Sequence, residues 1–166
     1  AQEVWNRMET LDKWYLAELH IINSILYLFD SDTAALLTER ALETLTQYKH
    51  LDEVRTLKIS FLLHLTNLLM MDQKYEQTLF YIKQMESESA QMDDAVMLAT
   101  ALVRKEVCMK KIGDLSEPGL IDRAVRILDS LNKQNLKELV LKDPENFFNL
   151  YSKYPVDKIK DELLTY

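Results

Sequence analysis

The side chains best placed to do chemistry in this chain stand in polar runs on otherwise apolar helical stretches. Ser60, His64, Asn67 and Met71 are spaced four, three and four, so they share one face of a helix rich in Leu. His20, Asn23 and Tyr27 repeat the pattern upstream, and Arg104 and Cys108 stand one turn apart downstream. An Asn amide carries both a donor and an acceptor, so it can hold a peptide bond of an extended ligand without reading its side chains. Neighbouring Leu, Met and Tyr supply apolar pockets. The candidate peptide-binding set is therefore Asn23, Tyr27, Ser60, His64, Asn67, Met71, Arg104 and Cys108. The other reading of the same stripes is that these groups hydrogen-bond between packed helices, or face water.

Catalytic and metal chemistry find little support. His20, His50 and His64 have no histidine or cysteine three or four residues away, and one cysteine permits neither an intrachain disulfide nor a CxxC site. The acidic pairs Asp30/Asp32 and Asp93/Asp94 fall where helices begin, which capping explains, and Glu86/Glu88 lie on a polar face. Asp93-Asp94 does not continue into a DDxxD pattern, because position 97 is Met. No phosphate-cradling Gly-rich loop and no nucleophile elbow occurs. The expectation is a binding protein, not an enzyme, with no cofactor and no metal. The seven methionines fall mostly at core spacing, with one or two left to line a forgiving groove.

Composition points to helices alone. Only 2 Gly and 3 Pro accompany 48% hydrophobic residues in 166, which leaves little material for hairpin turns. A net charge of −7 argues against broad contact with nucleic-acid phosphates by this chain itself. No apolar run approaches the roughly 18 residues of a membrane span. The chain opens at Ala1, not at a methionine, and is read as a cytoplasmic domain of something longer.

Helices are expected over about Leu11–Phe29, Thr33–Lys49, Asp52–Met71, from Tyr75 to about Ser87, and from Asp94 to Lys111. Gly113 after Lys110-Lys111 marks a stop, and Ser116-Glu117-Pro118 a restart. Leu136–Leu141 reads as a short helix, and Asp143-Pro144-Glu145 as the opening of another through Phe147, Phe148, Leu150 and Tyr151. Leu16, Leu57 and Leu98 stand 41 apart, each early in a greasy helix followed by an amphipathic one. The expected architecture is an all-α, tetratricopeptide-like array: a linker at 1–10, three helix pairs at 11–133, and a cap or dimer segment at 134–166. An ordinary helical bundle whose lengths happen to agree is the alternative. Leu136, Leu139, Phe147, Phe148 and Tyr151 could form a dimer face or a cap over the last hairpin.

The run from Trp14 through Ile25-Leu26-Tyr27-Leu28-Phe29-Asp30, the helix ending at Tyr48-Lys49, the YEQTLFYIKQM segment and Asn146-Phe147-Phe148 together resemble the C-terminal domain of Rgg/GadR/MutR-type transcriptional regulators. The resemblance spans nearly the whole chain and lies in its helix pattern and composition. It implies a tetratricopeptide-like domain that dimerises, follows an N-terminal helix-turn-helix domain, and senses a short signalling peptide on its concave face. Asn23, Asn67 and Arg104 would then be the peptide contacts. DNA would be reached only through the preceding domain, which this sequence lacks. The alternative is a stand-alone helical-repeat adaptor that binds a partner protein.

Overall fold

A computed structural model describes residues 14–48 and 52–147. Among the described residues there are seven α-helices and no strands. They are α1 (Leu16–Ile25), α2 (Ser31–Leu45), α3 (Asp52–Met71), α4 (Tyr75–Gln91), α5 (Ala95–Ile112), α6 (Leu120–Ser130) and α7 (Gln134–Lys142). Short 3-10 turns at Leu26–Leu28 and Thr46–Tyr48 extend α1 and α2.

Local chemistry fixes most boundaries. The Asp30 carboxylate accepts from the Thr33 N–H at 2.9 Å and from its hydroxyl at 2.8 Å, which caps α2. Those bonds, backbone first, hold the Asp30 carboxyl below its usual range. Asp94 caps α5 by accepting from the Met97 N–H at 3.1 Å. Gly113 ends α5 in the left-handed conformation at φ +76°, its N–H reaching the Lys110 carbonyl while Asp114 N–H reaches that of Met109.

Three further helix ends use the same paired bonds without glycine. Gln73, Asp93 and Asn132 sit at φ 58°, 54° and 54°, and the residue after each donates back across five positions. Each links two helices through three residues, so α3/α4, α4/α5 and α6/α7 form tight hairpins.

Two helix starts differ from expectation. The first described helix begins at Leu16, after an extended Tyr15 whose N–H is met by the Glu18 carboxylate at 3.1 Å, while Leu11 lies outside the described residues. The sixth helix begins at Leu120, later than Ser116-Glu117-Pro118 suggests. Those residues serve the preceding loop, where Asp114 accepts from the Ser116 N–H and Glu117 accepts from Lys105. The α6 N-terminus is met from outside, by the Glu106 carboxylate of α5 at 2.6 Å from the Ile121 N–H. Burial pushes the Glu106 carboxyl up, but bonds from Lys110 and Ile121 outweigh it and hold the group below its usual range. Asp143 accepts from the Asn146 N–H at 3.1 Å, as an N-cap does, but the helix expected beyond it lies outside the described residues.

Apolar faces gather into two cores. The larger joins α1 to α5 around Phe61, Leu62, Leu65, Ile82 and Met85. The smaller lies between α5, α6 and α7, around Leu102, Leu120, Leu128 and Val140. Helix α5 belongs to both and is buried on every side from Ala99 to Met109. Helix pairs are stitched by bonds between residues 37 to 42 apart. Lys74 meets Asp32 at 2.6 Å and the Tyr81 hydroxyl donates to Glu39 at 2.6 Å, both across 42 positions. The 41-residue spacing of the sequence thus reappears as neighbouring positions in successive hairpins.

Candidate functional site

Seven of the eight candidate side chains lie on the first helices of the three pairs, and Tyr27 sits in the turn that extends α1. They form two polar clusters. Between α1 and α3, the Asn23 side-chain amide donates to Ser60 Oγ at 2.8 Å, and His64 Nδ1 lies 3.1 Å from the Asn23 carbonyl oxygen. Asn23, Ser60, His64 and Tyr27 are all half-buried. Asn23 Oδ1 is shut off from solvent and has no hydrogen-bond partner. Burial pulls the His64 imidazole below its usual range, and the Arg104 charge adds to this, against the opposing bond to Asn23.

Between α3 and α5 the contact is closed. Arg104, 1% exposed, donates through Nη1 to the Leu63 carbonyl at 3.1 Å and to Thr66 Oγ1 at 2.6 Å, and through Nη2 to Asn67 Oδ1. Asn67 is buried with it. A planar guanidinium presents its donors in a rigid fork, so one side chain can meet several fixed acceptors at once. Cys108, one turn on, is fully buried, and burial pushes its thiol up to about 12, with Arg104 opposing. A thiol held so far up is not a nucleophile at neutral pH.

The structure therefore divides the set. Asn23, Ser60 and His64 come together with part of their surface open. Asn67, Arg104 and Cys108 are enclosed, and the bonds of Arg104 are directed into the helical frame. Met71, at the end of the stripe, is 58% exposed. Of the five candidates for a dimer face, Leu136 and Leu139 pack half-buried on the smaller core and Phe147 is 1% exposed within it. Phe148 and Tyr151 lie outside the described residues.

Two charged groups with structural weight stand outside the candidate set, although Lys105 falls at the 41-residue phase of Asn23 and His64. Lys105, buried beside Arg104, pairs with Glu117 at 2.8 Å and Glu86 at 3.3 Å. Glu106 caps α6 as described. An Arg-Lys-Glu run amid apolar residues was the available signal, since three long polar side chains in such a helix must each find partners. Among the described residues no three His, Cys, Asp or Glu side chains converge as a metal ion would need. No described helix is long and apolar enough to cross a membrane.

Comparison with known proteins agrees with this architecture. No curated protein and no solved structure matches the chain. One family model does, over residues 3–141: HTH-type transcriptional regulator Rgg, C-terminal domain. That family is one of transcriptional regulators and not of enzymes. With most of its length matched, and with helices paired as described, the chain belongs to the family of Rgg-type transcriptional regulator C-terminal domains.

Proposed function

We propose that this domain senses a short signalling peptide for a dimeric, cytoplasmic regulator whose DNA-binding helix-turn-helix precedes Ala1. The observation that carries the reading is the half-open polar contact joining α1 to α3. Apolar packing alone would hold these helices together. Placing amide, hydroxyl and imidazole groups between them makes their spacing depend on hydrogen bonds that a peptide backbone can exchange. Asn23 has its donor committed to Ser60 and its acceptor buried and unmatched, so an N–H that reaches it once α1 and α3 part gains a partner without displacing one.

The mechanism is a shift of population. Peptide lying along the first helices favours one spacing of the hairpins, and so one placement of the DNA-binding domains across the dimer. The ligand must bind the two spacings unequally, or nothing moves.

The test uses the full-length regulator. Short peptides from the producing culture are passed over it, and those retained are identified by mass spectrometry. A retained peptide should change the dimer's scattering profile and its affinity for promoter DNA. Peptide binding that leaves both unchanged would sink the switch, and a regulator that retains no peptide would sink sensing altogether.

A further inference from the structure

A cleft of about 350 Å³ opens where the C-terminal ends of α3 and α5 meet the start of α4. Met70, Met71, Tyr75 and Val107 give it apolar walls, and Lys111 and Glu145 line it as an ion pair at 2.8 Å. The volume lies at the small end of ligand sites, roughly 300–1,000 Å³, with room for one or two residues.

The pair is unequal. Lys111 stands on α5, a helix packed on every side along most of its length. Glu145 comes from the turn after α7. Both side chains are partly exposed, and such a pair is held weakly enough that another carboxylate can replace the first. The helix ends around the cleft are mixed, one N-terminus favouring an anion and two carbonyl ends opposing it. The Lys74 N-cap offers no side-chain acceptor to the first N–H groups of α4 at the cleft edge. The opposing carbonyl ends of α3 and α5 are partly satisfied by the bonds from Gln73, Lys74, Gly113 and Asp114.

We infer that this cleft receives the C-terminal residue of a short peptide, its apolar side chain against Met70, Met71 and Val107 and its free carboxylate on Lys111 in place of Glu145. Glu145 is then an internal stand-in that holds the site until the peptide arrives. The inference rests on the peptide-sensing reading above, and Met71 connects the two, since it ends the stripe of Ser60, His64 and Asn67.

The experiment follows methionine methyl and backbone NMR signals of the protein while acetylated tripeptides ending in Leu, Ile, Phe or Trp are added. Each is supplied as the free acid and as the C-terminal amide. At least one acid should shift Met70 and Met71 saturably, about ten-fold more tightly than its amide. Lys111→Gln should erase that preference, and Glu145→Gln should tighten the acid several-fold by removing its competitor. Equal binding of acid and amide, a preference that survives Lys111→Gln, or weaker binding in Glu145→Gln would each overturn the assignment. Acids that move Asn23 and Ser60 but leave Met70 and Met71 unmoved would overturn it while sparing peptide sensing. Silence at every site with every peptide would count against both.

Discussion

The α1/α3 and α3/α5 contacts are built on one plan and differ in openness. Each places polar groups of neighbouring first helices 37 to 41 positions apart within bonding distance. At α1/α3 the participants are half-buried, one acceptor is unmatched, and the bonds are those of an amide, a hydroxyl and an imidazole. At α3/α5 an enclosed guanidinium reaches a carbonyl, a hydroxyl and an amide together. The difference follows from position in the array. Helix α5 is shared by both cores, so its Arg104 is sealed where it meets α3, whereas α1 touches only the larger core. A repeat of polar residues can thus yield a fastening in one place and an adjustable contact in the next.

Five substitutions sharpen or break that contrast. Arg104→Ala should be the most damaging, at about 3–5 kcal/mol, because it strands several buried acceptors on α3 at once. Urea unfolding measures it, and a cost near that of a surface substitution would mean the α3/α5 contact is not a fastening. Asn23→Ala should cost only about 1 kcal/mol in the same assay, since one part-buried bond is lost and an unmatched acceptor goes with it.

Acidification should act on α1/α3. The His64 imidazole is held below its free value of 6.5 in the folded chain, so the unfolded chain binds the proton more readily. Stability is then fully present above pH 6.5 and falls as the pH drops through the lower folded value. The carboxyls held low in the fold, Asp30, Glu106, Asp114 and Asp129, start from 3.8 or 4.5 and act only in stronger acid. Unfolding measured from pH 7 to about 5 should therefore slope in the parent and flatten in His64→Gln. Equal slopes would remove His64 from the account.

The smallest effects belong to the helix ends. Gly113→Ala should cost about 1 kcal/mol from backbone strain alone, because a methyl there meets nothing within 4 Å. Gln73→Gly should gain about 0.5–1 kcal/mol at the equivalent position after α3. Matched thermal melts of the two variants would show opposite shifts.

Those helix ends also show what the sequence could tell. Gly113 after two lysines was legible because glycine and terminal cations each have a local reason to be there. Asp93 and Asn132 tolerate the same backbone through their short polar side chains, whereas Gln73 adopts it for a tertiary reason: the next helix must turn back onto the core, and packing outweighs the strain. The Asp30 and Asp94 caps were legible as local bonds, while the cap on α6 was not, because Glu106 reaches it from another helix. The stripe Ser60, His64, Asn67 and Met71 was readable as one face of α3. Which part of that face would be sealed was not, since burial of Asn67 depends on the helix carrying Arg104. The dimer-face candidates met the same limit: an apolar Phe147 reads alike whether its own smaller core or another surface receives it.

Hydrogen exchange of the unliganded protein, read peptide by peptide, tests the central contrast most directly. Amides of α5 between Ala99 and Met109 should exchange only with global unfolding, and those of α1 at a clearly lower opening free energy. Arg104→Ala should bring α5 down toward α1. If α1 and α5 exchange together in the parent protein, the two contacts are equally closed and the adjustable α1/α3 contact does not exist.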